Sequence, residues 1–284
     1  MFLSLEQNEL SFKSILQRIA NILLINGGFS DNPGLYTGEM GLVLFFFRYA
    51  RYTQNNLYRE YAYDLMDKTQ NRLHLDTPIY YKHGLAGIGS AIEYLVQKGF
   101  VEVDTDDILE DVDEHLLSLR NLPCVPLHEL LSIGYYALWR ITGSSALKDT
   151  LLKTFIPEMV RFMEEKSKHL DSTHPTVSYF KDLFSQETPF VSHDISDILL
   201  RIYPRCRNSP YRLESTMYSR LREYMDNNTD MAILSKHAGL SLQTGIQNGL
   251  AGLGLALLTE LDGDDSWISL FPNEFSSTEC ESLK

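Results

Sequence analysis

The feature that most constrains the fold is a short glycine string that recurs where apolar helical segments begin. It occurs as LYTGEMGL at residues 35–42, YKHGLAGI at 81–88 and IQNGLAGL at 246–253, each time with two glycines three positions apart. Glycine inside a helix costs about 1 kcal/mol relative to alanine, so its repeated use predicts a close backbone approach. Such an approach serves either tight packing or a backbone that lines a cavity, and we favour packing.

Two kinds of helical segment alternate along the chain. Amphipathic segments predict outer helices, whereas segments that are apolar nearly all round predict buried inner helices. Strand signals are weak. The 105–119 segment begins at Thr105, which is predicted as its N-cap. The outer helices are predicted at 9–26, 56–73, 105–119, 145–166 and 210–227, and the inner helices at 37–51, 83–97, 128–141, 193–203 and 248–260.

This alternation is typical of helical hairpins stacked side by side. The prediction is an all-α fold, an α/α toroid with inner and outer rings of helices. About five hairpins are recognisable, and they either close the ring or leave it incomplete. Residues 1–284 are predicted to form one domain, with 261–284 as a loosely packed tail.

Two further inner helices fit the same register without the glycines, at 126–133 (PLHELLSI) and 191–198 (VSHDISDI). The alignment places three histidines in one column, and we expect them to face the central cavity. Three neutral imidazoles can hold zinc and leave one coordination position open, so they are the candidate catalytic or metal site. Alternatively, each histidine caps its helix or forms hydrogen bonds at a polar cavity mouth. The column reads Thr37, His83, His128, His193 and Asn248.

Residues beside this column are candidates for the lining of a substrate cavity. Glu129 and Asp194 directly follow two of the histidines, where a carboxylate either orients an imidazole or favours the helix N-terminus. Tyr36 and Tyr81 lie near inner-helix starts and are further candidates, although aromatic residues at helical spacing are more often core. Thr37 and Asn248 complete the predicted cavity set.

The glycine strings also resemble those of a known family. The string Gly-Leu-x-x-Gly-x-x-Gly-Leu at 34–42, HGLAGI at 83–88 and NGLAGL at 248–253 are similar to motifs of the lanthionine synthetase C-like family. The resemblance implies an α/α toroid. In active members, two cysteines and one histidine from Trp-Cys-x-Gly and Cys-His-Gly strings bind zinc. That zinc activates a peptide cysteine thiol, which adds to a dehydrated serine or threonine to form a thioether.

This sequence contains neither zinc string. Trp139 is followed by Arg140, and no cysteine precedes a His-Gly pair. His83, His128 and His193 occupy the position that the Cys-His-Gly histidine holds in active members, so they are the alternative site for zinc. The family motif itself predicts no metal ligand here, and no cofactor is predicted beyond that alternative zinc.

The resemblance implies a protein of peptide modification in a thioether pathway, as a degenerate or accessory member that acts on or binds a peptide. If it is an enzyme, it is a thioether-forming cyclase of the lyase type. One alternative is a non-catalytic peptide-binding or scaffold module. Another is a carbohydrate-active α/α-barrel enzyme, which needs a pair of carboxylates. The candidates for that pair are Glu39, Glu129 and Asp194.

The composition limits which classes of partner and which cellular compartment are expected. The net charge is −13, from 38 acidic and 25 basic residues, which disfavours nucleic acid and anionic lipid. No apolar run approaches the roughly 20 residues that a membrane span requires. The first residues lack the pattern of a secretion signal. The three cysteines Cys124, Cys206 and Cys280 are scattered. These observations predict a cytoplasmic protein whose partner is a peptide or another protein.

Overall fold

The computed structural model describes residues 2–74, 77–120, 122–144, 146–167, 244–247 and 249–271. Regular structure in these ranges is entirely helical, which confirms the predicted all-α class for the described residues. The helices predicted at 193–203 and 210–227 lie outside them. The described chain forms two compact units, one ending at Arg72 and resuming at Thr244, the other running from Leu73 to Ser167.

The first unit contains an apolar inner helix packed against amphipathic helices. Its inner helix α2 is buried continuously from Glu39 to Ala50, whereas α3 buries a stripe at Ala62, Leu65, Met66 and Thr69. That spacing places the α3 stripe on one helical face, as the periodicity predicted. The elements are α1 (Phe2–Asn26), a 3₁₀ turn (Gly27–Phe29), α2 (Glu39–Thr53), α3 (Asn56–Gln70), α10 (Leu250–Asp262) and a second 3₁₀ turn (Ser266–Leu270).

Helices from the two ends of the described chain meet in this first unit. Helix α10 packs against both α1 and α2. Gly254 on α10 admits the Phe45 ring of α2, because a Cβ at Gly254 would lie 2.3 Å from Phe45 Cε2. Contact between the first and last inner helices of a sequence is expected in a toroid of hairpins and is not expected in an open row.

The segment after α10 is packed over its first part. Trp267, Ile268, Leu270 and Phe271 are buried, and Trp267 Nε1 donates a hydrogen bond of 2.9 Å to Thr259 Oγ1. The predicted loose tail at 261–284 is therefore corrected for these positions, because the tryptophan and its apolar neighbours outweigh the polar run before them. Residues 272–284 lie outside the described range.

The second unit also combines buried and amphipathic helices. Helix α4 packs against α7, and α7 packs against α9. The first three turns of α4 are buried without interruption from Leu85 to Leu95, as predicted for an inner helix. The elements are α4 (Leu85–Gln97), α5 (Thr105–Ile108), α6 (Glu110–Leu116), a 3₁₀ turn (Leu122–Cys124), α7 (Leu127–Gly143), α8 (Lys148–Thr150), a π turn (Leu151–Phe155) and α9 (Ile156–Ser167).

Two predicted outer helices are interrupted. The 105–119 segment breaks at Leu109, and its N-cap is Asp104, whose side chain accepts from the Asp106 N–H, rather than the predicted Thr105. The 145–166 segment divides at the π turn, because Pro157 has no N–H to continue the hydrogen-bond ladder.

Among the described helices, none combines the length and the apolar character that a membrane crossing demands.

Candidate functional site

The described glycine strings all begin their helices in the same way. Gly38, Gly84 and Gly249 are the N-caps of α2, α4 and α10, each in an extended conformation without a side-chain cap. Backbone carbonyls of the preceding turn take the place of that cap. The second helical N–H donates to the carbonyl five residues before the glycine in each case, with N···O distances of 3.3 Å to Pro33, 3.3 Å to Ile79 and 3.2 Å to Thr244.

The first N–H of the helix is bound in a similar way where the turn is fully described. Glu39 N donates to Asn32 O at 2.8 Å, and Leu85 N donates to Pro78 O at 2.9 Å. Four N–H groups at a helix start lack intrahelical partners, and here the turn satisfies two of them. These N-termini therefore do not present their first two N–H groups to an external anion.

Glycine is required because the turn lies directly on the helix start. A Cβ at Gly38 would be 2.2 Å from Asn32 O, and a Cβ at Gly84 would be 1.8 Å from Pro78 O. Both distances are far inside van der Waals contact. The predicted close backbone approach is confirmed at these two positions, and it joins each inner helix to its own preceding turn.

In the first unit, two such turns pack against each other. The Tyr36 carbonyl accepts from Ile246 N and Gln247 N, both at 2.8 Å. Gly245 lies on the backbone of Thr37, since a Cβ at Gly245 would be 2.5 Å from Thr37 Cα. The side chain of Ile246 packs over Gly41, the second glycine of the first string. We call turns 30–38 and 244–247 the paired turns.

The paired turns carry a set of partly exposed neutral polar side chains. We call Asn32, Thr37, Thr244 and Gln247 the polar rim. Asn32 organises its own turn: its Oδ1 accepts from Gly34 N at 2.9 Å, and its Nδ2 donates to Thr37 Oγ1 at 2.9 Å. The rim thus presents amide and hydroxyl groups whose positions are fixed by backbone contacts.

A buried ion cluster holds the turn that precedes α2. The Glu39 side chain is completely buried, and its Oε1 lies 2.5 Å from Lys68 Nζ and 3.1 Å from Arg72 Nη1. Lys68 Nζ also donates to Gly28 O at 2.6 Å, and Arg72 Nη1 donates to Ser30 O at 2.8 Å. One carboxylate therefore orients two cations, Lys68 on α3 and Arg72 just after it, and both cations bind carbonyls of the chain that enters the first turn.

In the second unit, the predicted site residues occupy two different environments. His83 is exposed and directly precedes the capping Gly84. Tyr81 is completely buried, its N–H donates to Ser132 Oγ at 3.0 Å, and its ring lies 5.6 Å from that of Tyr135. Burial raises the pKa of Tyr81, and hydrogen bonds with Ser90 and Trp139 offset only part of that shift.

A second buried ion cluster lies in the same unit. Arg140 of α7 is fully enclosed, with Nη1 at 2.6 Å from Glu93 Oε2 and Nη2 at 2.6 Å from Asp106 Oδ1. Its Nε and Nη2 donate to the Asp113 carboxylate at 3.0 and 2.8 Å. Tyr136 donates to the same carboxylate at 2.5 Å. The cluster ties α4, α5, α6 and α7 together.

The pKa values of two carboxylates in this cluster, Asp113 and Asp106, are shifted in opposite directions. Burial raises the pKa of Asp113 above its ordinary value, despite the hydrogen bonds from Arg140 and Tyr136. Burial acts in the same direction on Asp106, but hydrogen bonds from Ser144 and Arg140 outweigh it and lower that pKa. Burial and the charge of Asp113 together raise the pKa of Tyr136. All these side chains are bound to partners, which is typical of a structural cluster.

Comparison with known proteins identifies the family. Residues 30–169 match the model of the lanthionine synthetase C-like protein, a range that begins at the first glycine turn and includes α2 to α9. Residues 30–169 belong to the lanthionine synthetase C-like family. No curated protein and no solved structure matches it.

The described residues do not fit the zinc site of active lanthionine synthetase C-like proteins. Within these ranges, no three histidine, cysteine or acidic side chains approach one another as metal ligands would. Cys124 is exposed at the end of its 3₁₀ turn. The side chain of His128 and the residues His193, Asp194 and Asn248 lie outside the description, so the histidine column stays a prediction.

The other predicted cavity residues of this lanthionine synthetase C-like chain are placed as follows. Thr37 lies on the polar rim. The Tyr36 side chain is 2% exposed and packs against Phe271, with ring centroids 4.9 Å apart, so it belongs to the packed interior. Glu129 lies in the first turn of α7 and is partly exposed. Glu39, proposed for a carboxylate pair, is enclosed with Lys68.

Sequence reasoning missed the two ion clusters and Asn32. A signal for the clusters was present, because Glu39, Glu93 and Arg140 are charged residues inside otherwise apolar inner helices. A charge that is buried must be paired, so each such residue predicts a partner. No signal identified the partners, most of which lie on or just after the outer helices. Asn32 and Thr37 are five residues apart in a turn, where helical periodicity predicts nothing.

Proposed function

We propose that this lanthionine synthetase C-like protein binds a peptide at its inner-helix starts, as a degenerate or accessory member of a thioether pathway. The family is associated with peptide modification, and residues 30–169 match it. The observation that carries the proposal is the polar rim. It consists of neutral amides and hydroxyls fixed by the paired turns, a chemistry suited to hydrogen bonds with a peptide backbone and with serine or threonine side chains.

The absence of the two zinc-binding strings from the sequence favours peptide binding over activation of a peptide thiol. A cyclase needs a deprotonated peptide thiol near neutral pH, which a bound cation supplies. The sequence has no Trp-Cys-x-Gly and no Cys-His-Gly string. A cyclase that uses His83, His128 and His193 as altered ligands is the second candidate, favoured by their shared register at the helix starts. A carbohydrate-active enzyme is disfavoured, because Lys68 and Arg72 bind the enclosed Glu39 carboxylate.

Peptide binding is testable with fluorescein-labelled peptides and fluorescence anisotropy on the full chain. The probe is a short uncharged peptide that contains serine, threonine and cysteine, beside an acidic and a basic version. We expect saturable binding of the uncharged peptide and about a fivefold weaker Kd for Thr37→Ala, since one hydrogen bond contributes about 1 kcal/mol. Saturable binding of none of the three peptides would overturn the proposal.

The matched control is Thr53→Ala. Thr53 lies at the opposite end of α2 and donates to Tyr49 O at 2.8 Å, so the substitution removes the same hydroxyl and a comparable local hydrogen bond. Its Kd is expected to equal that of the wild type. Equal losses in the two variants would show that the rim has no special part in binding.

Metal content separates the binding protein from the altered cyclase. We expect elemental analysis of protein purified without chelator to show far less than one zinc per chain. We also expect an unchanged peptide Kd after treatment with EDTA. About one zinc per chain that is lost in a His83→Ala, His128→Ala double variant would instead establish the histidine column as a metal site.

A further inference from the structure

A buried carboxylate pairs with two cations that bind the chain leading into the first paired turn. We propose that Glu39 is a positioning residue for Thr37, acting through Lys68, Arg72 and Asn32; the inference rests on the proposed peptide-binding function. Glu39 directly follows the capping Gly38, and its side chain is fully buried beneath the turn. It contributes to binding by fixing the rim before a ligand arrives.

The first step of the linkage runs from Glu39 to the entering chain. Its Oε1 is shared by Lys68 and Arg72, and Thr69 Oγ1 lies 3.4 Å from its Oε2. The two cations are about one third exposed, so without the carboxylate they would be free to turn toward water. Paired with it, they are aimed at the carbonyls of Gly28 and Ser30.

The second step runs from Ser30 to the rim. Asn32 N lies 3.3 Å from Ser30 Oγ, and Arg72 Nη2 lies 3.3 Å from Asp31 Oδ1. Asn32 O accepts from Glu39 N at 2.8 Å, so the residue that anchors the cations also binds the turn through its backbone. Asn32 Nδ2 then fixes Thr37 Oγ1 at 2.9 Å. The hydroxyl orientation at the rim is thereby coupled to a buried charge on the other side of the turn.

Preorganisation of this kind lowers the cost of binding, because the rim side chains are already ordered. In the second unit, the residue equivalent to Glu39 is Leu85, which has no charge. The pairing of a buried carboxylate with two cations therefore occurs at the turn of the first string and not at that of the second. Turn 244–247 also packs against this first turn.

A double-mutant cycle distinguishes positioning from general stabilisation. The variants are Glu39→Gln, Thr37→Ala and both together, measured with the uncharged fluorescein-labelled peptide at a temperature where circular dichroism shows each variant folded. We expect Glu39→Gln to weaken the Kd about threefold to fivefold in the wild-type background and to have no effect in the Thr37→Ala background. Equal losses in both backgrounds would overturn the inference, because a merely structural role does not depend on Thr37.

Hydrogen exchange tests the linkage without any ligand. We expect Glu39→Gln to accelerate exchange of the Gly34 amide, which donates to Asn32 Oδ1, and to leave the Leu85 amide of the other unit unchanged. Unchanged exchange at Gly34 would refute the positioning role even if the peptide binds. Faster exchange together with a Kd insensitive to Thr37→Ala would refute the proposed binding site and leave the linkage established.

A second variant covers the case in which Glu39→Gln does not fold. Arg72→Gln removes the contacts to Ser30 and Asp31 but leaves Glu39 paired with Lys68. We expect the same faster exchange at Gly34. Arg59→Gln is the matched control, because Arg59 is exposed on α3, the helix that precedes Arg72, and its exchange pattern should match the wild type. Identical behaviour of Arg72→Gln and Arg59→Gln would overturn the inference.

Discussion

At the scale of single residues, Arg140 shows why an arginine occurs in an apolar helix. Three carboxylates from α4, α5 and α6 converge on its guanidinium, which has five N–H donors in a fixed planar arrangement. A lysine would supply one compact charge and could not serve three separated acceptors equally well. The arrangement fixes three helices relative to α7 with one side chain.

Loss of Arg140 is expected to be strongly destabilising. Arg140→Met leaves the buried Glu93 and Asp113 without a cation, and removal of one partner from a buried ion cluster costs about 3–5 kcal/mol. Urea denaturation followed by circular dichroism measures the difference. Arg161→Met is the control, because its ion pair with Glu158 is exposed and is expected to contribute less than about 1 kcal/mol. Similar losses in the free energy of unfolding for both variants would show that the buried Arg140 cluster contributes no more to stability than an exposed ion pair.

The pKa of Asp106 predicts a pH dependence. Its pKa is lower in the folded chain than the ordinary value of 3.8, so the ionised form is favoured by folding. The stabilisation is present above pH 3.8 and is lost as pH falls through the folded-state pKa. Asp106→Asn should therefore be less stable than the wild type at pH 7, and the difference should shrink below about pH 4. Urea titrations at pH 7, 5 and 3 test this, and a constant difference would contradict it.

At the scale of elements, the glycine turn is the repeated unit that begins α2, α4 and α10. Its carbonyls satisfy helical N–H groups, and at Gly38 and Gly84 its close contact requires a residue without a Cβ. The second glycine of the first string receives Ile246 from the neighbouring turn. The two glycines therefore serve different contacts, one within a repeat and one between repeats.

Gly84→Ala tests this account. A Cβ would lie 1.8 Å from Pro78 O, so the turn must move and weaken the hydrogen bonds to Leu85 and Ala86. We expect a loss of about 1–3 kcal/mol in the free energy of unfolding, as in overpacked sites. Gly28→Ala is the control, since a Cβ there has Tyr61 Oη as its nearest neighbour at 4.0 Å. An equal loss in both variants would rule out close contact as the reason for the glycine.

The sequence predicted inner-helix positions well and outer-helix details less well. The starts predicted at Thr37, His83 and Asn248 lie two residues before the observed starts, because the column residue and its glycine belong to the turn. Periodicity detects a buried face, and these helices are buried on nearly all sides. The π turn and the break at Leu109 depend on local hydrogen bonds that periodicity does not report.

The candidate site was predictable only in part. Thr37 lies on the polar rim in the turn before α2, whereas Tyr36, two residues before the same glycine, turns inward to Phe271. Residues adjacent in a turn point in different directions, and the sequence alone does not specify which faces solvent. The contact of turn 30–38 with turn 244–247 joins segments more than 200 residues apart, and no local pattern encodes it.

At the scale of the whole molecule, net charge is the property most relevant to a peptide partner. The chain carries −13, while the polar rim itself is neutral. Under the proposed function, long-range attraction and local recognition are therefore separate: the overall field affects how fast a charged peptide arrives, and the rim affects how long it stays. The charge of the peptide should therefore change mainly the association rate, and a change at the rim should change mainly the dissociation rate.

Stopped-flow anisotropy with the basic and the acidic peptide measures the association and dissociation rates of each. We expect the basic peptide to associate faster at low salt, and the two association rates to converge as the ionic strength rises and the Debye length falls to about 8 Å or less. Thr37→Ala should raise the dissociation rate of both peptides and leave the salt dependence unchanged, because it alters no charge. A salt-independent rate difference would place the discrimination at the rim, and a Thr37→Ala effect confined to association would contradict the role assigned to that hydroxyl.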